Sequence, residues 1–223
     1  MLYFVPTPIG NLKDITLRAL ELFKSNFVFF CEDTRKFKKL LNAYNISLKW
    51  KNIFSFHAQS KSNLAAKIAK RWLSEDIVIV SEAGSPGLSD PGKEIVKWAY
   101  RYSTPFEILP GPTALIPAVV AACFDTHNFI FFGFLPLKKG LSSKIEEIVN
   151  SKIPIFVYES VHRVSLTLKK IKQAGFDRKV LLARELTKMF EQKECGHIDT
   201  VLDKIDKGYI PTKWEFVLGF EGA

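Results

Sequence analysis

The loop at residues 81–92 is the part of the sequence best suited to bind a ligand. It follows Ile77–Val80, an unbroken apolar run that predicts a strand buried on both faces. Three glycines and two prolines in twelve residues fix the path of the backbone and allow close approach of a ligand. Ligands of open α/β sheets bind beyond the carboxyl ends of the strands. An ordinary turn would explain one glycine and Asp90 as a helix cap, but not the whole run of glycines and prolines. We therefore favour a ligand-binding loop.

The elements around this loop alternate between strand and helix patterns. Short apolar runs predict strands at 2–5, 27–31, 53–56, 77–80, 106–109, 129–134, 155–158, 180–183 and 215–220. Amphipathic or small apolar repeats predict helices from about 14, at 36–44, 62–74, 93–102 and 113–122, near 143, and up to about 173. This rhythm predicts an α/β protein with parallel or mixed sheets covered by helices, in two lobes.

The best candidate for a domain boundary is Pro110-Gly111-Pro112. Two prolines around a glycine stop both helix and strand, and the β-α pattern restarts after them. We therefore expect an N-terminal α/β domain at 1–111 and a C-terminal α/β domain at 112–223.

The composition is that of a globular, basic protein. Hydrophobic residues make up 47% of the 223 residues, and 32 Lys and Arg against 23 Asp and Glu give a net charge of +9. A sequence pI near 9.4 favours a polyanionic partner such as nucleic acid. The basic residues are spread along the chain, so a solvated lysine-rich surface remains the alternative.

The cysteines and the first residues indicate the compartment. Cys31, Cys123 and Cys195 lie far apart without a Cys-x-x-Cys pair, which predicts neither a zinc site nor a disulfide framework. The apolar run after Met1 lacks the basic start and length of a signal peptide, and no apolar segment reaches membrane-spanning length. We expect a reduced, cytoplasmic protein without a metal. A Gly-Lys-Ser/Thr phosphate loop is missing from the sequence, which disfavours nucleotide hydrolysis.

Seven short motifs give the sequence a family resemblance. They are VPTPIGNL at 5–12, EDTR at 32–35, AGSPGLSDPG at 83–92, PGPTA at 110–114, GFLP at 133–136, YESVHR at 158–163 and ARELTK at 183–188. In this order they resemble the ribosomal RNA small subunit methyltransferase I family. That family belongs to the tetrapyrrole methylase group, the class III S-adenosylmethionine-dependent methyltransferases. The resemblance extends from Leu2 to about Gly222.

The resemblance implies a fold, a cofactor and a substrate. We expect two α/β lobes with S-adenosyl-L-methionine in the cleft between them, and a homodimer. The implied reaction is methylation of a cytidine ribose 2′-hydroxyl in small-subunit (16S) ribosomal RNA, free or in the assembled subunit. The sequence departs from the family at Glu82, usually Asp, at Val161, usually Pro, and at Ala58-Gln59-Ser60, usually Glu-His-Asn. It also stops at Ala223, where longer members continue.

Cofactor-binding candidates come from the loops and from the resemblance. Backbone groups of Gly84, Ser85 and Leu88 are the first choice for the amino-acid end, with Pro86 shaping the turn. The resemblance adds Pro8, Gly10, Thr113, Ala114, Tyr158, Leu182, Ala183, Val217, Leu218 and Gly219. For any single apolar member, burial in the core remains an equally good interpretation.

Methylation of a ribose hydroxyl needs a general base or a cation that favours the alkoxide. The carboxylate candidates are Glu32, Asp33, Glu159 and Glu185, at or just past predicted strand ends, and Lys188 could stabilise the alkoxide. Glu185 and Lys188 are three residues apart, so on a helix they would share a face. Candidates for RNA binding are Arg35, Lys36, Lys138, Lys139, His162, Arg163 and Arg184. Catalysis by positioning alone remains open.

Two further functions remain possible on the sequence alone. One is methylation of a tetrapyrrole or other small molecule by the same fold, which the net charge of +9 disfavours. The other is a non-catalytic RNA- or ribosome-binding role, for which Glu82 leaves room. Failure to bind S-adenosylmethionine, with intact salt-dependent RNA binding, would favour the latter.

Overall fold

The structure, a computed structural model, describes residues 1–55, 75–89, 92–211 and 215–223. The chain divides into two compact units, Met1–Thr113 and Ala114–Ala223. The sequence placed this division two residues earlier, after Gly111, so Pro112 and Thr113 belong to the first unit. The predicted helix at 62–74, the departure at 58–60 and the capping role of Asp90 lie outside the described residues.

The first unit is a parallel α/β unit. Its described strands are β1 (Leu2–Val5), β2 (Val28–Cys31), β3 (Asn52–Ser55), β4 (Ile77–Val80) and β5 (Phe106–Ile108). They form a parallel sheet in the order β3-β2-β4-β1-β5. The described helices are α1 (Leu17–Lys24), α2 (Thr34–Ala43) and α3 (Gly92–Arg101). Because β1 lies between β4 and β5, the loops that follow these three strands are neighbours.

Both faces of this sheet are buried. Strands β2 and β4 are apolar at every position, as expected for central parallel strands. Ile77 and Ile79 pack with Ile95 of α3 on one face, whereas Val78 and Val80 pack with Phe23 of α1 on the other. The unit therefore rests on two apolar layers, one on each side of the sheet.

The first helix begins later than its sequence pattern predicts. A short 3-10 helix at Leu12–Asp14 comes first, and α1 starts at Leu17. Thr16 sets this start, because its hydroxyl accepts a hydrogen bond from the Ala19 N–H at 3.1 Å. The side-chain cap therefore sets the start of α1, which lies three residues after the start at Asp14 that the apolar spacing predicted.

The second unit contains a mixed sheet. Its described strands are β6 (Ile130–Phe134), β7 (Ile155–Glu159), β8 (Lys179–Arg184), β9 (Gln192–His197) and β10 (Phe216–Phe220). Their order is β6-β7-β10-β8-β9. Strands β6 and β7 are parallel, whereas β10 runs antiparallel to β7 and β8, and β9 runs antiparallel to β8. Consequently β6, β7 and β8 all end at the same edge of this sheet.

Helices cover both faces of the second sheet. They are α4 (Leu115–Ala121), α5 (Leu141–Asn150), α6 (Val164–Gln173) and α7 (Ile198–Asp206). Side chains of α5, α6 and α7 share one apolar core with Leu182 and Leu218 of the sheet. Helix α4 contacts β8 and β10. The sequence analysis predicted neither β9 nor α7.

The structure corrects the cysteine prediction. Cys123 and Cys195 form a disulfide with a Cα–Cα distance of 5.9 Å. The bond joins the segment between α4 and β6 to strand β9, which are 72 residues apart in the chain. Spacing along the sequence concealed this pair, because the fold brings β9 beside that segment. Cys31 is a free, buried thiol.

None of the described helices is long and apolar enough to cross a membrane. The longest of them have ten residues, and a transmembrane helix needs about 20.

Candidate active site

Two loops are joined at the carboxyl edge of the first sheet. Thr7, after β1, and Gly84, after β4, exchange both backbone hydrogen bonds: the Thr7 N–H donates to the Gly84 carbonyl at 3.0 Å, and the Gly84 N–H donates to the Thr7 carbonyl at 2.9 Å. The Ser81 hydroxyl donates to the same Gly84 carbonyl at 2.7 Å. Thr7 is fully buried, and its hydroxyl donates to the Ser81 carbonyl at 3.3 Å. These bonds fix the path of both loops.

The loop after β5 is attached to the same place. The Ser85 hydroxyl donates to the Pro112 carbonyl at 3.2 Å. Gly84 has a φ of +82°, and a Cβ there would lie 3.6 Å from the Pro112 carbonyl oxygen. A Cβ on Gly111 would lie 2.8 Å from the Cβ of Pro6, so only glycine fits without a shift. We call these three connected loops, residues 6–10, 81–89 and 109–113, the loop platform.

The loop platform corrects one predicted role. Backbone groups of Gly84 cannot serve a ligand as predicted, because its N–H and its carbonyl are both bonded to Thr7. Pro86 is buried and Leu88 is exposed, with the Leu88 N–H donating to the Ser85 carbonyl at 3.3 Å in a turn. Leu88 is therefore the member of the predicted set that faces outward.

The remaining candidates at this edge keep positions consistent with a binding loop. Pro8 is partly exposed and Gly10 is exposed. Thr113 ends the first unit, and its Cα would lie 3.9 Å from a Cβ on Gly84. Ala114 opens the second unit immediately before α4. Their roles as cofactor contacts stay predictions.

A cleft of about 260 Å³ opens beside the loop platform. Its walls combine apolar side chains with a charged rim. The lining residues are Pro8, Leu12, Cys31, Glu32, Asp33, Lys36, Phe37, Lys39, Leu40, Ala43, Ser81 and Glu82. The cleft therefore lies at the carboxyl ends of β1, β2 and β4, where the sequence predicted a ligand.

Asp33, on the rim of this cleft, is a poor general base. It caps α2 by accepting the Arg35 N–H at 2.8 Å, and it also accepts the Arg35 guanidinium at 3.2 and 2.9 Å. The side-chain hydrogen bond from Arg35 holds the pKa of Asp33 well below its ordinary value. The same bond raises the pKa of Arg35. These bonds disfavour Asp33 as a general base, which must take up a proton near neutral pH, and its catalytic role stays a prediction.

Three other charged residues on the rim, Glu32, Lys36 and Glu82, also have partners. The Glu82 N–H donates to a Glu32 carboxylate oxygen at 3.2 Å, and the Glu82 side chain forms an ion pair with Lys36. Glu82, where the family usually has Asp, thus contacts helix α2. Cys31 lies beneath the rim, and burial raises the pKa of its thiol to about 12.

The second unit gathers several predicted residues at the carboxyl edge of its own sheet. Glu159 ends β7 with a fully buried carboxylate, which accepts the Ser160 N–H at 2.8 Å and the Thr167 hydroxyl at 2.7 Å. Arg163 lies 3.7 Å from the same carboxylate and donates to the Leu135 carbonyl at 3.2 Å. These two charged residues tie loops together, so neither the catalytic role of Glu159 nor RNA binding by Arg163 is supported.

Arg184 also has an internal role. Its side chain is buried, and one of its N–H groups donates to the Gln192 side chain at 3.2 Å. A buried guanidinium bound to β9 does not support the predicted contact of Arg184 with RNA. Of the residues predicted to bind RNA in this unit, Lys138, Lys139 and His162 are exposed.

Glu185 and Lys188 form a pair on a turn. Lys188 Nζ lies 2.9 Å from the Glu185 carboxylate, and the Lys188 N–H donates to the Glu185 carbonyl at 2.9 Å. Glu185 has a φ of +51°, so the two residues share a turn and not the helix face that their spacing suggested. This pair is the one predicted catalytic combination that the described residues bring together.

The residues predicted to form the adenine pocket lie on both faces of the second sheet, and among them Tyr158 is partly exposed whereas Ala183 and Val217 are buried. Tyr158, Val217 and Ala183 lie side by side across β7, β10 and β8, on the face opposite the main core. Leu182 and Leu218 point into that core, which corrects their predicted role. Position 219 requires glycine because a Cβ there would lie 2.7 Å from the Phe156 ring.

The sequence analysis missed two residues that hold the loop platform together, Thr7 and Ser81. Each has a short side chain and is buried. The only signal for Thr7 was its place between Pro6 and Pro8. Ser81 carried no signal beyond its place at the end of a strand.

Comparison with known proteins decides the family. Residues 1–201 match the family of tetrapyrrole (corrin/porphyrin) methylases. A ribosomal RNA small subunit methyltransferase I from Helicobacter pylori (strain ATCC 700392 / 26695) is 36% identical, over 98% of this chain and 82% of that protein. The chain belongs to the ribosomal RNA small subunit methyltransferase I family of tetrapyrrole methylases. The resemblance found in the motifs is thereby confirmed.

Other members of this family match over most of their length. The protein from Hydrogenobaculum sp. (strain Y04AAS1) is 40% identical, over 92% of this chain and 89% of that protein. The protein from Mycoplasmopsis pulmonis (strain UAB CTIP) is 38% identical, over 98% of this chain and 96% of that protein.

Solved structures confirm the fold class of this family member. Native uroporphyrin III C-methyltransferase from Thermus thermophilus matches with a TM-score of 0.67 at 16% identity, over 99% of this chain and 96% of that one. Diphthine synthase matches with a TM-score of 0.71 at 10% identity, over 99% and 89%. These likenesses concern the fold alone.

Proposed function

We propose that this protein transfers the methyl group of S-adenosyl-L-methionine to the 2′-hydroxyl of a cytidine ribose in small-subunit ribosomal RNA. The observation that carries the proposal is the loop platform, in a chain whose relatives are named as ribosomal RNA small subunit methyltransferases. A platform fixed before binding suits a reaction that depends on alignment of two bound groups.

The residues present fit the cofactor at two places. The loop platform presents the exposed backbone of Gly10 and the partly exposed Ser85, which suit the amino-acid end. In the second unit, Tyr158 offers a partly exposed ring beside the buried Val217 and Ala183, and a ring of this kind suits an adenine base. A solved structure of the same fold is described as complexed with S-adenyl homocysteine. When bound, the cofactor supplies a methyl group already activated by the sulfonium charge.

The accepting hydroxyl must lose its proton, and the Glu185–Lys188 pair is the group proposed to assist. The Lys188 ammonium stabilises negative charge on the ribose oxygen, and the Glu185 carboxylate holds the ammonium in position. The proton of the hydroxyl passes to solvent water as the oxygen accepts the methyl group. The hydrogen bonds of Asp33 and Glu159 disfavour both residues for this role. Positioning by the loop platform supplies the rest of the catalysis.

The partner in this proposal is ribosomal RNA, free or in the small subunit. Lys138, Lys139, His162 and Arg35 are exposed and suit contacts to phosphate. The net charge of +9 supports binding to a polyanion. The proposal also places the protein in the cytoplasm as a homodimer, and the exposed Ile116 and Val120 of α4 are apolar surface of the kind that a partner copy covers.

Transfer of labelled methyl groups tests the proposed substrate. The protein is incubated with methyl-labelled S-adenosylmethionine and small subunits from a strain that lacks the modification, and in parallel with a uroporphyrinogen. We expect label in the ribosomal RNA and none in the tetrapyrrole. Label in the tetrapyrrole alone would overturn the proposed substrate, and no transfer to either would overturn the proposed activity.

Lys188→Ala tests the proposed catalytic pair. Loss of a group that stabilises developing negative charge lowers kcat by about 10²- to 10³-fold. Lys144→Ala is the matched control, because Lys144 also pairs with a glutamate three residues away in the second unit and has a similar exposure. An equal effect of both variants, or no effect of Lys188→Ala, would remove the pair from the mechanism.

A further inference from the structure

The turn at residues 185–191 has an unusual backbone. Glu185 and Thr187 have φ values of +51° and +68°, in the left-handed region that side chains rarely adopt. Hydrogen bonds hold this conformation: the Glu191 carboxylate accepts the Thr187 N–H at 2.6 Å, and the Glu191 N–H donates to the Lys188 carbonyl at 3.1 Å. The turn is therefore held in one shape by its own residues.

This fixed turn presents two large apolar side chains to solvent. Met189 is 90% exposed and Phe190 is 64% exposed, whereas Leu186 of the same turn is buried. Burial of Leu186 attaches the turn to its unit. The adjacent Met189 and Phe190 together form an exposed apolar patch, which is typical of a binding surface.

A second aromatic side chain lies on a neighbouring segment. The Gln192 amide donates to the Tyr209 carbonyl at 3.2 Å, which brings the segment after α7 beside the turn. Tyr209 is 71% exposed. The carboxyl edge of the second sheet thus presents two aromatic side chains, Phe190 and Tyr209, from two segments linked by a hydrogen bond.

The charges at this edge favour an anionic partner. Glu185 is paired with Lys188, and Glu191 is paired with Lys193 and accepts a backbone N–H. These bonds from Lys193 and Thr187 lower the pKa of Glu191 and keep its charge neutralised by its own neighbours. The loop after β6, at the same edge, carries the exposed Lys138 and Lys139.

We propose that Phe190 is a stacking platform for an unpaired base of the RNA substrate, with Lys138 and Lys139, three strands away at the same edge of the sheet, contacting phosphates farther along the RNA. An exposed ring on an edge that also carries lysines, with Glu185 and Glu191 each paired with a lysine, is a combination that suits single-stranded RNA. The inference rests on the proposed function in that RNA is the substrate. It goes further by naming the residue that binds the RNA and by requiring an unpaired base at that residue.

Variants at Phe190 test stacking in the full-length protein. The probe is a fluorescein-labelled, cytidine-rich 12-nucleotide RNA, single-stranded or annealed to its complement. We expect Phe190→Leu to weaken single-strand binding by about 5- to 100-fold, the loss of one stacked base. Phe190→Trp should retain the affinity within about threefold, since a larger ring still stacks. Tyr102→Leu, at another exposed aromatic residue, is the control and should leave the affinity unchanged.

Salt dependence separates stacking from charge. Phe190→Leu should leave the slope of log Kd against log salt unchanged, because the lysines that neutralise the phosphates remain. Lys138→Ala with Lys139→Ala should reduce the slope by about 0.7 for each phosphate that is no longer neutralised. Equal affinities of Phe190→Leu and the native protein for the single strand would overturn the inference, as would a Trp variant as weak as the Leu variant.

Two controls keep this result distinct from the proposed function. Thermal melting and binding of S-adenosylhomocysteine should be the same for Phe190→Leu as for the native protein, which shows that the fold and the cofactor site are intact. If the native protein methylates small subunits while Phe190→Leu binds RNA normally, the inference fails and the function stands. If single-strand binding depends on Phe190 but no methyl transfer occurs, the stacking role stands and the proposed activity fails.

Discussion

Gly84 holds a left-handed φ of +82° where three loops meet, with its N–H and carbonyl both bonded to Thr7. In Gly84→Ala the left-handed backbone costs about 1–2 kcal/mol, and the loops must shift to relieve it. We expect affinity for S-adenosylhomocysteine, measured by calorimetry, to fall at least about tenfold, which corresponds to about 1.4 kcal/mol.

Gly175→Ala is the matched control for that variant. Gly175 has a φ of +100°, and a Cβ there would meet nothing within 4 Å. The control should show a similar loss of stability and an unchanged affinity. Equal affinity of Gly84→Ala and the native protein would contradict the role of the loop platform.

Glu159 has a structural role that activity and stability measurements can separate from catalysis. Glu159→Gln leaves a buried amide among groups arranged for a carboxylate, which costs about 1–3 kcal/mol. We expect a lower Tm and a lower free energy of unfolding, with kcat within a few-fold of the native value. A kcat reduced a hundredfold at unchanged Tm would instead identify Glu159 as a catalytic group.

The Arg35 side chain controls the ionisation of Asp33. Because the folded pKa is lowered, the pair stabilises the protein above the unfolded Asp pKa of about 3.9, and the stabilisation is lost as pH falls through the folded pKa. Arg35→Ala should raise the Asp33 pKa towards its ordinary value in a carboxyl NMR titration. The same pKa in both proteins would show that Arg35 is not the cause.

Sequence position alone could locate these residues but not assign their roles. Asp33, Glu159 and Glu185 all lie at strand ends, as predicted. What each one does depends on its partners, and the partners of Glu159 come from helix α6 and the loop before it. A carboxylate satisfied by Thr167 looks the same in a sequence as one that faces a substrate.

At the scale of elements, the Cys123–Cys195 bond attaches the segment before β6 to strand β9. Reduction, or Cys195→Ser, restores chain freedom to the unfolded state and should lower the stability of the second unit by about 2–4 kcal/mol. Denaturant unfolding followed separately in each unit measures this loss. A first unit destabilised as much as the second, or no loss in either, would contradict it.

The free thiol of Cys31 reports on the folding of the first unit in the same denaturant samples. Burial raises the pKa of its thiol to about 12, so the unreactive thiol form predominates at pH 8. Alkylation by iodoacetamide should therefore be slow in the folded protein and fast in denaturant.

Elements with strong apolar patterns were predictable, and those with weak patterns were not. The buried strand β4 was placed correctly from four consecutive apolar residues. Strand β9 contains Gln, Lys, Glu and His, and among the described strands it pairs with β8 alone, at the sheet edge. An edge strand needs little apolar surface, so its sequence carried no strand signal.

At the scale of the whole molecule, the alternation of strands and helices was enough to predict two α/β units. The strand order of the second unit's mixed sheet was harder to predict, because β10 is the last strand in sequence but lies between β7 and β8. Such a pairing depends on contacts between distant residues. The family resemblance supplied the architecture that local patterns could not.

The chemical position of the transferred methyl group tests the central claim most directly. Ribosomal RNA labelled by this protein is hydrolysed in alkali, which cleaves beside every free ribose 2′-hydroxyl. The account predicts label in an alkali-resistant dinucleotide that begins with cytidine. Label released entirely in mononucleotides would place the methyl group on a base and contradict ribose methylation.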